Sequence, residues 1–173
     1  MTKADEPMDG LRRLLAPNPS PMTGRGTNSY LVGEGAVALI DPGPDDPAHL
    51  AAILAALRPG ERISHILVTH AHRDHSGLAA AASAATGAPV LAFGGATAGR
   101  SPLMERLAGR EPSGGGEGTD THFLPDATLA DGERLDGGSW SLTALHTPGH
   151  FGSHLCLAWG HQVFSGDHVM GWS

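Results

Sequence analysis

The sequence predicts an α/β fold, and three observations carry that prediction. Apolar, β-branched runs alternate along the chain with alanine-rich stretches of helical length. Gly and Pro punctuate the changeovers, as in Arg58-Pro59-Gly60. One apolar run, Ile63-Ser64-His65-Ile66-Leu67-Val68-Thr69, leads directly into His70-Ala71-His72-Arg73-Asp74-His75 and then into the small residues Gly77-Leu78-Ala79-Ala80. That places a dense group of imidazoles and a carboxylate at the carboxyl end of a strand, where open α/β sheets carry their chemistry.

Taken in order, Leu11 to Ala16 reads as a first strand, followed by a Pro- and Gly-rich loop to Gly26. Tyr30 to Val32 and Ala36 to Ile40 read as paired strands joined across Gly33-Glu34-Gly35. A helix then starts at Asp46-Pro47, with Asp46 as its cap and Pro47 at its first position, and runs to about Leu57. Strand 63 to 69, the histidine-rich loop and a helix over Leu78 to Ala85 follow, and Pro89 to Phe93 is the next strand. Residues 94 to 122 change character, with Gly94-Gly95 and Gly114-Gly115-Gly116. They read as a mobile insertion carrying a short helix around Leu103 to Leu107. A phosphate-cradling loop is disfavoured there, since no Gly-Lys-Ser/Thr pairing links a strand to a helix. Leu135, Trp140 to Leu145 and Leu155 to Trp159 supply the last strands, between turns such as Asp131-Gly132 and Asp136-Gly137-Gly138.

In an extended segment the side chains of positions 70, 72 and 74 point one way and that of His75 the other. One metal ion could then take His70 and His72, with Asp74 and His75 facing a neighbouring site. Imidazole and carboxylate suit zinc, iron or manganese. Of the other histidines, His146 reads as structural support at a strand end, and His154 and His168 as pocket lining, as donors to a ligand or as structural. His49, His65, His122 and His161 belong to no motif and read as solvent-facing or packing residues.

The spacing His-x-His-x-Asp-His resembles the signature of the metallo-β-lactamase superfamily, and three further segments agree with it in order. Ala38-Leu39-Ile40-Asp41-Pro42-Gly43 resembles its strand ending in aspartate, His146-Thr147-Pro148-Gly149-His150 its TPGH turn, and Phe164-Ser165-Gly166-Asp167-His168 its GD motif. The stretches Asn18-Pro19-Ser20-Pro21-Met22 and Gly26-Thr27-Asn28-Ser29-Tyr30 look most like the lactamase-like-protein-2 or glyoxalase II-like branch. The resemblance implies an αββα sandwich, with two similar halves packed face to face around the metals. It implies that His70, His72 and His150 hold a first metal, that Asp74 and His75 hold a second, and that Asp167 bridges them. Asp41 would support the loop by hydrogen bonds without touching metal. Zinc is the expected cofactor, two ions per complete protein, with iron or manganese as alternatives. Relatives complete the second site with a histidine from a Gly-His-Gly type segment beyond the GD motif, and none follows Asp167 before Ser173. The expectation is therefore a single domain over residues 1–173 with its first half complete and its second half partial, cut before the C-terminal strands.

Composition bounds the function. At 173 residues the chain is one ordinary domain. A net charge of -7, with Lys3 as its only lysine, argues against a phosphate-backbone surface on this part of the chain, while RNA stays open as a partner should further chain carry a basic patch. The single cysteine, Cys156, permits no internal disulfide and fits a reducing cytoplasm; its strand-like surroundings make it a buried small hydrophobe. No secretory signal or membrane span is visible, and homo-oligomerisation is left open. The resemblance implies a metal-dependent hydrolase that uses a metal-bound hydroxide on an ester, thioester or phosphodiester, with Asp74 as proton acceptor. Its alternatives are a mononuclear iron sulfur dioxygenase, an endoribonuclease-type nuclease of the same fold, or a binding module.

Overall fold

The computed structural model describes residues 4–108 and 118–170. The apolar runs assemble first into a meander: β1 (Asp5–Met8), β2 (Leu11–Leu15), β3 (Asn28–Val32) and β4 (Ala36–Ile40) pair antiparallel in sequence order. From β4 onward the pairing turns parallel, through β5 (Arg62–Leu67), β6 (Val90–Ala92) and β7 (Ala127–Thr128), which completes a seven-stranded sheet. Parallel neighbours need crossovers. These are α1 (Pro47–Ala55) between β4 and β5, and α2 (Arg73–Ser76) with α3 (Ala79–Thr86) between β5 and β6, while α4 (Pro102–Ala108) precedes β7. A second, antiparallel sheet holds β8 (Arg134–Asp136), β9 (Ser141–His146), β10 (Leu155–Trp159) and β11 (Gln162–Phe164), in the order β11-β10-β9-β8.

Strand alternation divides the core in two. Val37, Leu39, Ile63 and Ile66 face the helices and meet Ala52 and Ile53 of α1 and Ala79 and Ala82 of α3. Ala38, Ile40 and Leu67 face the second sheet and meet Trp140, Leu142, Ala144, Leu155 and Leu157. A central strand buried on both faces reads as a continuous apolar run, which is why Ala36–Ile40 was legible. Trp140 ties the sheets together: its Nε1 donates to the Ala36 carbonyl at 2.7 Å. Gly33 and Gly137 lie flat against its indole, where a Cβ would sit only 2.2 and 2.0 Å from ring atoms. Arg12, also buried, donates to the Ala56 and Gly33 carbonyls and pairs with Glu61, fastening the end of α1 to the sheet. Burial would raise the Glu61 carboxyl, but the Arg12 guanidinium and the Arg58 amide together hold it below the usual range.

The boundaries differ from the sequence expectation in instructive places. Helix α1 starts as predicted, with the Asp46 carboxylate accepting from Ala48 N at 2.8 Å, and stops at Ala55. Asp46→Ala is expected to lower stability by about 1 kcal/mol in urea unfolding, the usual cost of an N-cap. Strand β5 ends at Leu67 because the Thr69 amide leaves the ladder to donate to the Asp41 carboxylate. The helix expected over Leu103 to Leu107 is present as α4, whereas the run Gly114 to Gly116 lies outside the described residues. Cys156 is buried, as expected. No described helix is long and apolar enough to cross a membrane.

Candidate metal centre

Backbone geometry builds the centre at the carboxyl end of β5. Asp41, just past β4, adopts φ 48°, a left-handed conformation that Asp tolerates better than most residues. Its buried carboxylate collects three hydrogen bonds: from Thr69 N at 2.8 Å, from Thr69 Oγ1 at 2.9 Å and from His75 Nδ1 at 2.8 Å. Since a carboxylate only accepts, these contacts assign protons. The Thr69 hydroxyl donates to Asp41 and so accepts from His70 Nδ1 at 3.0 Å, which leaves the lone pair of His70 on Nε2. His75 carries its Nδ1 proton toward Asp41 and turns Nε2 toward Asp74 and Asp167.

From His72 the chain departs from the extended reading. Residues Arg73–Ser76 form the helical turn α2, so Asp74 and His75 do not alternate in direction. The His75 and Ser76 amides bond back to the His72 carbonyl at 2.9 Å each, and Asp74 and His75 both line one cavity of about 240 Å³ together with Thr27 and Asp167. Thr27 Oγ1 donates to Asp74 Oδ2 at 2.7 Å and fixes one of its two oxygens. The loop after the undescribed residues straps this segment: Arg73 N donates to the Gly118 carbonyl and Asp120 N to that of Ala71.

The second sheet brings the remaining groups. His150 follows β9 and Asp167 follows β11, inside a 3-10 turn over Gly166–His168. His72 Nδ1 lies 2.9 Å from His70 Nε2 and 3.0 Å from His150 Nε2. Asp167 Oδ2 lies 3.6 Å from His150 Nε2 and 3.9 Å from His70 Nε2. Ligand atoms of His70, His72, His150 and Asp167 thus all lie within 4.8 Å of one another. Four ligands on a tetrahedral zinc, with bonds of about 2.0–2.1 Å to nitrogen, would stand roughly 3.3 Å apart, so the donor set fits one ion. On the far side of Asp167, its Oδ1 lies 3.3 Å from His75 Nε2, which is itself 3.4 Å from Asp74 Oδ2.

Protonation follows from the packing. Burial, reinforced by the neighbouring imidazoles, holds His70 well below the usual histidine range, and burial with His150 lowers His72, so both stay neutral with lone pairs available. His75 is the opposite case. Burial opposes its charge, yet Asp41, Asp167 and Asp74 overcome that and raise it well above the ordinary value. Burial would raise Asp167, but the bond from His75 holds it low. Of the carboxylates around His75, Asp74 and Asp167 face its Nε2 and are the ones that would surround a cation there.

Other histidines find plainer places. His146 stacks on Phe93 with ring centroids 3.8 Å apart and bonds to the Gly152 carbonyl. His49, read from sequence as solvent-facing or packing, is buried against Gly43 and bonds to Ser29 Oγ. Thr27 and Thr69 carried no chemical signal of their own; only their places beside Gly26 and before His70 pointed to them.

Comparison with known proteins agrees with this arrangement. The family described as "Metallo-beta-lactamase superfamily" matches residues 22–171. Among curated relatives, the lactamase-like protein aptB of Emericella nidulans is 32% identical over 166 residues, covering 92% of this chain and 45% of its own length. The lactamase-like protein adaB of Aspergillus niger is 30% identical over 175 residues, covering 99% and 48%. The chain therefore spans just under half the length of these relatives. Among solved structures, a metallo-beta-lactamase from Cronobacter sakazakii with a HARLDQ motif superposes with a TM-score of 0.66 at 25% identity, over 90% of this chain and 58% of that one. ETHE1 from Myxococcus xanthus superposes at 0.60 with 23% identity, over 92% and 58%. Two facing sheets with helices on the first, the strand-end cluster and the match over residues 22–171 lead to one conclusion: this chain belongs to the metallo-beta-lactamase superfamily.

Proposed function

We propose that this chain carries the metal centre of a hydrolase acting on an ester, thioester or phosphodiester. The observation that supports it most is the convergence of His70 Nε2, His72 Nδ1, His150 Nε2 and the Asp167 carboxylate on one point. When bound there, a divalent cation lowers the pKa of its water to about 7 and so provides hydroxide at neutral pH. His70, His72 and His150 would hold the cation through ring nitrogens, and Asp167 would hold it through its carboxylate. Asp74, with Oδ2 fixed by Thr27, keeps its other oxygen for the proton released as the water oxygen bonds to the carbonyl carbon or phosphorus. Asp74 then returns that proton to the departing oxygen or sulfur. His75 and Asp74 flank the shared Asp167 as the start of a second site, with fewer donors than the first among the described residues. The single buried cysteine supports a cytoplasmic setting.

The second reading, an iron-dependent oxygenase acting on a sulfur substrate, is favoured by the same cluster, since imidazoles and one carboxylate around one point suit non-haem iron. Elemental analysis with turnover separates the readings. We expect one tightly held zinc or manganese per chain, a second held weakly, and cleavage of a chromogenic ester or phosphodiester. Tightly held iron with oxygen consumption would replace hydrolysis by the second reading. No metal uptake at all would end both.

A further inference from the structure

His154 touches every segment that bears a proposed ligand, although it is completely buried and faces no solvent. Its ring stacks on His70, with centroids 5.0 Å apart and planes 28° from parallel. Its Nδ1 lies 3.0 Å from Thr147 Oγ1, at the start of the turn that carries His150, and its carbonyl accepts from Thr147 N. Its Nε2 has no hydrogen-bond partner among the described residues and faces Gly166, the residue before Asp167. A Cβ at Gly166 would lie 2.8 Å from both His154 Nε2 and Thr69 Oγ1, so the turn rests directly on these two side chains. The next residue, Leu155, donates its amide to the Thr69 carbonyl at 2.8 Å, which ties β10 to the loop bearing His70.

We infer that His154 is a positioning residue: wedged between His70, Thr147 and Gly166, it holds the three ligand-bearing segments at the spacing one cation needs. The inference rests on the metal-site reading above. Its physical basis is that a ligand's orientation is set by what packs and bonds behind it, and such partners are worth about 10–100-fold in metal affinity. Here one side chain stands behind ligands from both sheets.

The test has a metal-free arm and a metal arm, on His154→Ala and His154→Asn. Asparagine can place its side-chain amide where Nδ1 was and keep the bond to Thr147. In the metal-free protein, hydrogen exchange is expected to quicken in His154→Ala across residues 147–150 and 164–168, while β4 and β5 keep their protection. Zinc affinity, measured by competition, should fall about 10–100-fold, and the visible spectrum of the cobalt(II)-loaded protein should change. Asparagine should recover much of both effects. Should His154→Ala not fold, His154→Leu keeps the bulk without the bond and is expected to bind zinc more weakly than His154→Asn. Wild-type exchange and affinity in the alanine variant, a uniform rise in exchange over the whole chain, or equal affinity in the leucine and asparagine variants would each overturn the inference. A wild-type protein that takes up no zinc would instead overturn the metal-site reading, with the exchange arm still judging His154.

Discussion

Asp41→Ala is expected to lower the unfolding free energy by about 3–5 kcal/mol, the range for removing one partner from a buried charged network. Three donors lose their acceptor at once: Thr69 N, Thr69 Oγ1 and His75 Nδ1. Thr69 and His75 are both buried, so donors left without an acceptor carry a desolvation cost. Alanine also tolerates the left-handed backbone at this position less well than aspartate. Against a typical total of about 5–15 kcal/mol, the loss leaves the variant marginal at room temperature. Asp41→Asn separates the causes, since it keeps an acceptor and the backbone preference but not the charge. Urea unfolding should rank wild type above asparagine and asparagine above alanine. An alanine variant as stable as the asparagine one would show that the three bonds contribute nothing net.

His72→Ala is expected to remove tight metal binding while leaving the fold in place. His72 Nδ1 is the one nitrogen within 3.0 Å of both other imidazole donors, and it sits on the loop rather than in either apolar core. A ligand that binds only the folded state stabilises it by about 2.7 kcal/mol at a hundred times its dissociation constant. Zinc should therefore raise the melting temperature of the wild type and leave that of His72→Ala nearly unchanged, while the metal-free proteins melt close together. Equal zinc-induced shifts would move the site away from these residues.

Much of this arrangement was legible because a few segments obey strong local rules. Ala36–Ile40 and Leu155–Trp159 are apolar on consecutive residues, and both appear with the bounds read from sequence. The strands that escaped detection lack such a signal. β1 is exposed along its whole length and is fixed by pairing with β2, including Asp5 with Arg13, while β7 is only two residues held by backbone bonds to β6. Helix α2 escaped because Arg73–Ser76 is polar and one turn long; it is held by the His72 carbonyl and by the strap from Gly118 to Asp120, which no local pattern encodes. The candidate ligands, with Asp41 as a support behind them, were named from motifs that resemble the superfamily's, but the support that Thr27 gives Asp74 carried no such signal. Thr27 meets Asp74 and His154 meets Gly166 only after the chain has folded back on itself.

That folding back has a consequence for the order of events during folding. His70 and His72 hang from the first sheet, whereas His150 and Asp167 hang from the second, and the two sheets come from successive stretches of the chain, residues 5–128 and 134–164. No short stretch holds more than two of the four clustered donors. A collapsing chain therefore has no preformed chelate, and the four meet only once the interface between Ile40 and Leu67 on one side and Leu142 and Leu155 on the other has closed. A metal ion taken up by this cluster would therefore arrive late, slowing escape from the native state rather than acting as a template that hastens entry. Adding zinc should lengthen the unfolding half-life and leave the refolding rate untouched.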